Sequence, residues 1–364
     1  MTTYELASVP VSQASVTTLA RVRPNFRNVA FLVIVVGAAA AFVVTKRAEL
    51  PAAWTATEQA SPAWLLVAGA LSVSIVANLA GLQARAQGLL GVRRPFRQTF
   101  RLTASGHFLN LVTKSGGMAG VTGFNADSRR RGLSVERTTA GYILAELSTH
   151  LGFTVVLLVS VPVMAHDGKL SPGDLAAMGV FAVLTGMFVA GVIAAGRSQQ
   201  SIRRLHAIPS RIRNRVATML GRPALAACVD HHSADDLHAA VMLARQHHAG
   251  LWPLAIHAIG YPVIGVTLMW VVLQGSGVHH GFSIALATYA IGTTFSIVGF
   301  LPGGIGFTEL SMAATLSSYG LAAGRTAAVV GLYRLFDLWL PMLGGAAVSR
   351  NRCRSIGGAI EGTE

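Results

Sequence analysis

The chain has 364 residues, of which 52% are hydrophobic and only 12% are charged. Soluble domains carry about 25% charged residues, so this composition excludes a disordered chain and argues against a soluble globule. The net charge of +14 and the isoelectric point near 11.1 then indicate contact with anionic lipid headgroups rather than with nucleic acid. The composition is typical of a polytopic membrane protein.

Residues 1–27 are polar and predict a cytoplasmic N-terminal tail, and residues 28–45 form the first apolar run. A signal-peptide core is the alternative for this run, but the apolar segments that follow favour an uncleaved helix. Five further runs approach the roughly 20 residues needed to cross a bilayer, namely 62–84, 138–164, 173–196, 251–275 and 326–348. The sequence thus predicts an all-α protein with about six full transmembrane helices.

Two other apolar stretches contain glycine, proline and polar residues, at about 102–124 and 282–320. Non-helical backbone at membrane depth survives only where protein or a water-filled cavity satisfies its polar groups. A segment broken at its centre by Gly-Gly therefore predicts a re-entrant pair of half-helices. We expect one such hairpin in the first membrane half (28–196) and one in the second (251–348).

The distribution of basic residues supports opposite orientations for the two hairpins. Arginines flank the first hairpin on both sides, so both of its ends are expected in the cytoplasm. With the second hairpin entering from the outer side, the predicted cytoplasmic segments hold 23 of the 29 basic residues. These segments include the 197–250 loop and the 349–364 tail, so both termini are expected in the cytoplasm of a bacterial inner membrane.

The two hairpins also resemble each other at a constant offset of 187 positions. At this offset Phe108 matches Phe295, and Gly116-Gly117 matches Gly303-Gly304. Two hairpin units of opposite orientation would form an inverted repeat, and transporters built in this way place the substrate site near the midplane. We therefore expect a site between the two broken hairpins.

Ionisable residues inside a membrane are costly and are usually paired or functional. Arg334 and Asp337 lie three apart on a predicted helix, so they can form a structural ion pair, or Asp337 can orient Arg334 toward a phosphate. Glu309 can cap its own helix or take part in an ion relay. The glycines near it can start a half-helix whose N–H groups hold an anion, or can simply permit a turn and close packing. The predicted substrate-binding residues are Lys114, Ser115, Gly116, Gly117, Glu146, Pro302, Gly303, Gly304, Gly306, Glu309, Arg334 and Asp337.

The 197–250 loop begins with RSQQSIRRLHAIPSRIRNRVATMLG, in which basic residues alternate with apolar ones. This pattern predicts an amphipathic helix on anionic lipid, with nucleic-acid binding as a much weaker alternative. Histidines and aspartates cluster nearby at 230–248, where a solvated helix is favoured over a metal site. No nucleophile elbow, Walker loop or dinucleotide fingerprint occurs, so we expect neither a catalytic site nor a cofactor.

The segments SGHFLNLVTKSGGMAG, AELSTHLGF, GFLPGGIGFTELS and LYRLFDLWLPMLGG resemble the lysylphosphatidylglycerol synthase transmembrane-region family. Its members include the membrane half of the bacterial multiple peptide resistance factor. The resemblance runs from the first helix to Arg350 and implies a flippase-like inner-membrane protein, here without a synthase domain. In many relatives proline precedes the first pair of glycines, whereas Lys114-Ser115 stands here.

These observations predict a lipid translocase that binds a phospholipid or a lipid-linked saccharide headgroup between two broken hairpins. The alternative is a non-transporting scaffold that docks a cell-envelope glycosyltransferase or lipid-modifying enzyme through the 197–250 loop. A membrane-embedded transferase with Glu309 or Asp337 as base is a third alternative. The expected partners are membrane lipids, anionic ones above all.

Overall fold

The computed structural model describes residues 61–113, 118–197, 251–278, 281–299 and 301–357. Every regular element within these ranges is helical. The α-helices are α1 (Pro62–Leu89), α2 (Phe96–Thr113), α3 (Met118–Arg130), α4 (Val135–His166), α5 (Pro172–Arg197), α6 (Leu251–Gly275), α7 (Phe282–Val298), α8 (Phe307–Ser318), α9 (Ala323–Arg334) and α10 (Leu340–Gly357). A 3₁₀ turn (Pro302–Gly304) lies between α7 and α8, and a π-helical turn (Leu335–Trp339) joins α9 to α10.

Five helical segments of the described residues are long and apolar enough to cross a membrane. They are α1, α4, α6, the Pro172–Ile193 part of α5, and the Ala323–Val348 segment. This last segment consists of α9, the π-helical turn and the first part of α10. Each coincides with a predicted span, so the polytopic all-helical architecture is confirmed. The predicted first span, 28–45, lies outside the described residues, as do the 1–27 tail and the 198–250 part of the predicted loop.

Large apolar side chains lie on the outer surface of these helices as well as between the helices. Leu66 on α1 is 77% exposed, and Leu158 on α4 is 68% exposed. In water such a surface would drive association, whereas lipid tails are as apolar as leucine and leave it stable. The exposed apolar surface therefore agrees with a helix bundle that is solvated by lipid.

Each predicted hairpin is a pair of shorter helices that pack against each other, α2 with α3 and α7 with α8. The second pair coincides with the predicted 282–320 segment. The first pair spans 96–130, which is longer than the predicted 102–124, because its basic flanks continue the helices. Arginine is a good helix former whose long stem lets the charge reach water from a helix end.

The order and spacing of the helices repeat along the chain. Adding 187 to the first positions of α1 to α4, which are 62, 96, 118 and 135, gives 249, 283, 305 and 322. The helices α6 to α9 begin at 251, 282, 307 and 323. All four starts agree within two residues, so the offset read from a few sequence identities also relates four pairs of helices.

The corresponding helices α1 and α6 run antiparallel. The Ser61 N–H, before α1, donates to the carbonyl of Gly275 at the end of α6. At the other end, the Asn78 side-chain amide donates to the carbonyl of His257 at 2.7 Å. Each helix pair also packs on a long helix of the other half of the chain, because α7 contacts α4 and α2 contacts α10. This reciprocal packing agrees with the repeat of helix starts along the chain.

Glycines allow the closest helix contacts. A Cβ at Gly152 of α4 would overlap the carbonyl of Ala258 on α6, and a Cβ at Gly345 of α10 would overlap that of Ala104 on α2. Small residues at such crossings let backbones approach closely, which maximises dispersion contacts where lipid removes the hydrophobic driving force. The crossings bring α2, α4, α6 and α10 together around the polar residues described next.

Candidate functional site

The second hairpin turns through three glycines in left-handed conformations. Gly303, Gly304 and Gly306 have φ values of 60°, 67° and 87°, which side chains with a Cβ rarely adopt. Helix α8 begins at Phe307, after this turn and within the glycine-rich stretch that was expected to start a half-helix. The N–H of Gly304 already donates to the carbonyl of Leu301 at 3.0 Å, so it is used by the turn.

Glu309 fastens this turn from inside α8. One of its carboxylate oxygens accepts the N–H of Gly306 at 2.6 Å, which confirms its capping role at the helix start. The other oxygen lies 2.6 Å from Nε of Arg334 on α9. The same side chain thus holds the hairpin turn and links it to the next helix.

Arg334 is only 4% exposed and has three protein acceptors. Besides Glu309, its Nη2 donates to the carbonyl of Gly303 at 2.7 Å, and its Nη1 lies 3.5 Å from the Asp337 carboxylate. The predicted pairing of Arg334 with Asp337 is confirmed, but the shorter contact is to Glu309, which is 25 positions away in sequence. Sequence reasoning missed that partner because helix spacing relates only residues within one helix.

Asp337 lies in the π-helical turn that joins α9 to α10. Its carboxylate lies close enough to Tyr333 to interact with it. The widened turn also exposes the carbonyl of Phe336, which accepts the hydroxyl of Ser72 on α1 at 2.6 Å. Single π turns inside α-helices occur frequently at functional sites, and this one fixes a carboxylate beside Arg334.

A polar cavity of about 210 Å³ lies beside the first hairpin. Its polar lining comes from α1, α2, α4 and α6 and includes Gln83, Thr103, His107, Asn110, Tyr142, Glu146 and Tyr261. Glu146, predicted as a site residue, shares a hydrogen bond with Tyr142. The cavity is small compared with the roughly 300–1,000 Å³ of sites for drug-sized ligands, so it suits a small headgroup or a few water molecules.

Asn110 holds the walls of this cavity together. Its side-chain oxygen accepts the N–H of Gly120 on α3 at 2.7 Å, and its amide donates to the Tyr142 hydroxyl at 3.0 Å. Asn110 therefore ties both arms of the hairpin to α4. We did not single it out from the sequence, although an asparagine within the apolar run HFLNLV is a signal of a satisfied polar contact.

The cavity and the Arg334 cluster lie near each other. Tyr261 on α6 lines the cavity and is close enough to both Glu146 and Asp337 to interact with their charges. The hairpins also approach, since α2 contacts the Pro302–Gly304 turn and a Cβ at Gly303 would lie 3.7 Å from Leu111. Lys114, Ser115, Gly116 and Gly117 fall outside the described residues, and their predicted role stays a prediction.

A second ionic cluster, which sequence reasoning missed, closes the base of the first hairpin. Arg94, before α2, lies 3.0 Å from Asp127 at the end of α3, and it also donates to Gln87 on α1 and Ser128 on α3. Burial lowers the pKa of the Arg94 guanidinium from its usual range, and Asp127 opposes that shift. This arginine is therefore a buried structural charge, although it counts among the basic residues of a predicted cytoplasmic flank.

Comparison with known protein families identifies a family of membrane proteins, in agreement with the apolar helices of the structure. The sequence model of the family described as the lysylphosphatidylglycerol synthase TM region matches residues 29–345. The comparison with curated proteins gives no match. The match includes every helix that lines the cavity and all of α9, which carries Arg334. This chain is a multi-pass membrane protein that belongs to the lysylphosphatidylglycerol synthase TM region family.

Proposed function

We propose that this protein is a lipid translocase of the bacterial inner membrane, with both termini in the cytoplasm. It binds a phospholipid headgroup between its two broken hairpins and moves it across the bilayer. The observation that carries the proposal is a polar cavity next to the point where the two hairpins approach. A cavity lined by a carboxyl group inside an apolar bundle is costly to maintain, and such groups commonly mark substrate or ion pathways.

The repeat supports the translocating role. The helix starts of the two units are related by one offset, and their first helices, α1 and α6, run antiparallel. Under this proposal, equivalent elements of the two units lie on opposite sides of the membrane midplane. In transporters, rocking of one such unit against the other opens a fixed site alternately to each side. The tips at Leu111 and Gly303 then form the contact across which the two units move.

The lining of the cavity narrows the class of headgroup. Among its described lining residues Glu146 is the carboxylic acid, surrounded by hydroxyl, amide and imidazole groups. This chemistry fits a headgroup that presents an ammonium or several hydroxyls. The volume of about 210 Å³ favours a phospholipid headgroup over a long lipid-linked saccharide. Arg334 would contact a phosphate only after it releases one of its three acceptors. We therefore assign to Arg334 the role of holding the hairpin turn, ahead of a role in binding phosphate.

We also propose that the chain performs no covalent chemistry and uses no cofactor. Its sequence contains no nucleotide-binding motif, so movement would be downhill or coupled to an ion. Glu146 and Asp337, both close to Tyr261, are the carboxyl groups to which a coupling cation or proton would bind.

The test is lipid movement in liposomes that contain the purified protein and a phospholipid with a fluorescent headgroup label. A membrane-impermeant reductant bleaches only the outer leaflet in protein-free vesicles, so bleaching beyond about half of the label reports translocation. We expect Glu146→Gln to slow the excess bleaching at least tenfold, because the amide keeps the shape of the side chain but cannot ionise. Glu136→Gln, at the first turn of the same helix, is the matched control and should leave the rate unchanged.

The scaffold alternative predicts a different pattern. Well-folded protein would then give no excess bleaching with phosphatidylethanolamine, phosphatidylglycerol or phosphatidylcholine labels. Equal rates for Glu146→Gln and wild type would show that translocation, if observed, does not use the cavity. Either result would overturn the proposal.

A further inference from the structure

A second and larger concave surface lies on the other side of α1. It is a groove of about 1110 Å³ between the second half of α1 and the start of α6. Ala77, Gly81, Ala84 and Gly88 of α1 line it, whereas Leu82 and Gln83 of the same helix line the cavity beside the first hairpin. Helix α1 therefore separates two distinct spaces.

The α1–α6 contact differs between its two ends. At the end outside the groove, the rings of Trp64 and Trp270 meet edge to face at 5.9 Å. At the groove end, small residues of α1 leave space, and nothing lies within 4 Å of a Cβ built at Gly88. The floor there is polar, because His257 and Asn78 hydrogen-bond to each other across the two helices.

Two arginines line this groove end. Arg85 and Arg93 are exposed, and neither has an ion pair among the residues that the structure describes. The adjacent Arg94 is buried and pairs with Asp127, whereas the guanidinium of Arg93 lies at the groove. Phe96, which is 53% exposed, adds an apolar side to the same rim. The surface thus combines positive charge at a helix end with an apolar channel along the helix.

We propose that this groove binds one phospholipid with a net negative headgroup from the leaflet at the basic end of α1. Arg85 and Arg93 contact the phosphate, and an acyl chain lies along the small residues of α1. The charge complementarity of guanidinium and phosphate selects the occupant, and the apolar length of the groove selects a lipid over a soluble phosphate. This site stands whether or not the protein moves lipid across the bilayer.

The test is a titration of the full-length protein in detergent with phosphatidylglycerol or phosphatidylcholine, read as bound lipid by native mass spectrometry. One arginine near anionic lipid contributes about fivefold in affinity, so Arg85→Gln/Arg93→Gln should weaken phosphatidylglycerol binding about 30-fold. The matched control is Arg97→Gln/Arg101→Gln, which removes two exposed charges from α2 outside the groove. It should change the affinity less than threefold.

A variant that narrows the groove without changing its charge tests whether an acyl chain lies along α1. Gly88→Phe places a ring in open space, so it should fold as wild type and weaken phosphatidylglycerol binding at least tenfold. The proposal is overturned if both arginine pairs give the same loss, or if Gly88→Phe binds as wild type does. It is also overturned if phosphatidylcholine binds as tightly as phosphatidylglycerol, or if glycerol phosphate displaces the lipid at equal concentration.

Discussion

Replacing Arg334 by methionine tests whether the second hairpin is held by its buried ion pair. The change keeps the apolar stem but leaves the Gly303 carbonyl and the carboxylates of Glu309 and Asp337 without their shared donor. Removing one partner of a buried pair costs about 3–5 kcal/mol. The two carboxylates are 19% and 28% exposed, so water compensates them in part and the low end, about 3 kcal/mol, applies.

Glu309→Gln should cost less, about 1–2 kcal/mol, because the amide oxygen still accepts from Gly306 while Arg334 keeps Asp337. In the double variant the stranded Glu309 charge is absent. Its total cost should therefore fall short of the sum of the two single costs by about 1–3 kcal/mol.

The free energies are measured by reversible unfolding in mixed micelles of increasing dodecyl sulfate fraction, followed by far-ultraviolet circular dichroism. Arg325→Gln, at an exposed position in the first turn of the same helix, is the control and should lie within about 0.5 kcal/mol of wild type. A cost below about 1 kcal/mol for Arg334→Met would refute the reasoning, and so would additivity of the two single changes.

Two further predictions use the same unfolding measurement. Gly304→Ala should cost more than about 3 kcal/mol, because its Cβ would lie 2.6 Å from the Ser296 Cα. Gly306→Ala meets open space and adds about 1–3 kcal/mol of backbone strain at its φ of 87° and ψ of −53°. Equal costs would contradict this account of the turn. Arg94→Gln should cost about 2–3 kcal/mol, because the buried Asp127 loses its buried ionic partner and keeps Gln98 and the more exposed Arg131, whereas the exposed Arg97→Gln should be neutral within about 0.5 kcal/mol. Indistinguishable midpoints for the last pair would show that the Arg94 cluster does not stabilise the hairpin base.

The membrane architecture could be predicted from the sequence because the bilayer imposes a length. Runs near 20 apolar residues predicted five spans that the structure contains, within a few residues at each end. The Gly303-Gly304 pair predicted the second helix break, since the turn there needs positive φ values, whereas Gly116-Gly117 lies outside the described residues. The offset of 187 positions depended on a few matched residues, yet it relates the starts of four helix pairs.

The candidate site could be predicted only in part. Spacing within one helix predicted the Arg334–Asp337 contact, and the capping preference predicted the role of Glu309. The Arg334–Glu309 and Arg94–Asp127 pairs each join different helices, so no local spacing indicates them.

The sequence by itself therefore determined how many segments are apolar, where they break and in which order they repeat. The tertiary structure decided which sides of those segments meet. In water an amphipathic stripe indicates the buried side of a helix, but here lipid is as apolar as the core and the stripe is absent. Only the packed helices show that α1 separates the Glu146 cavity from the Arg85 groove.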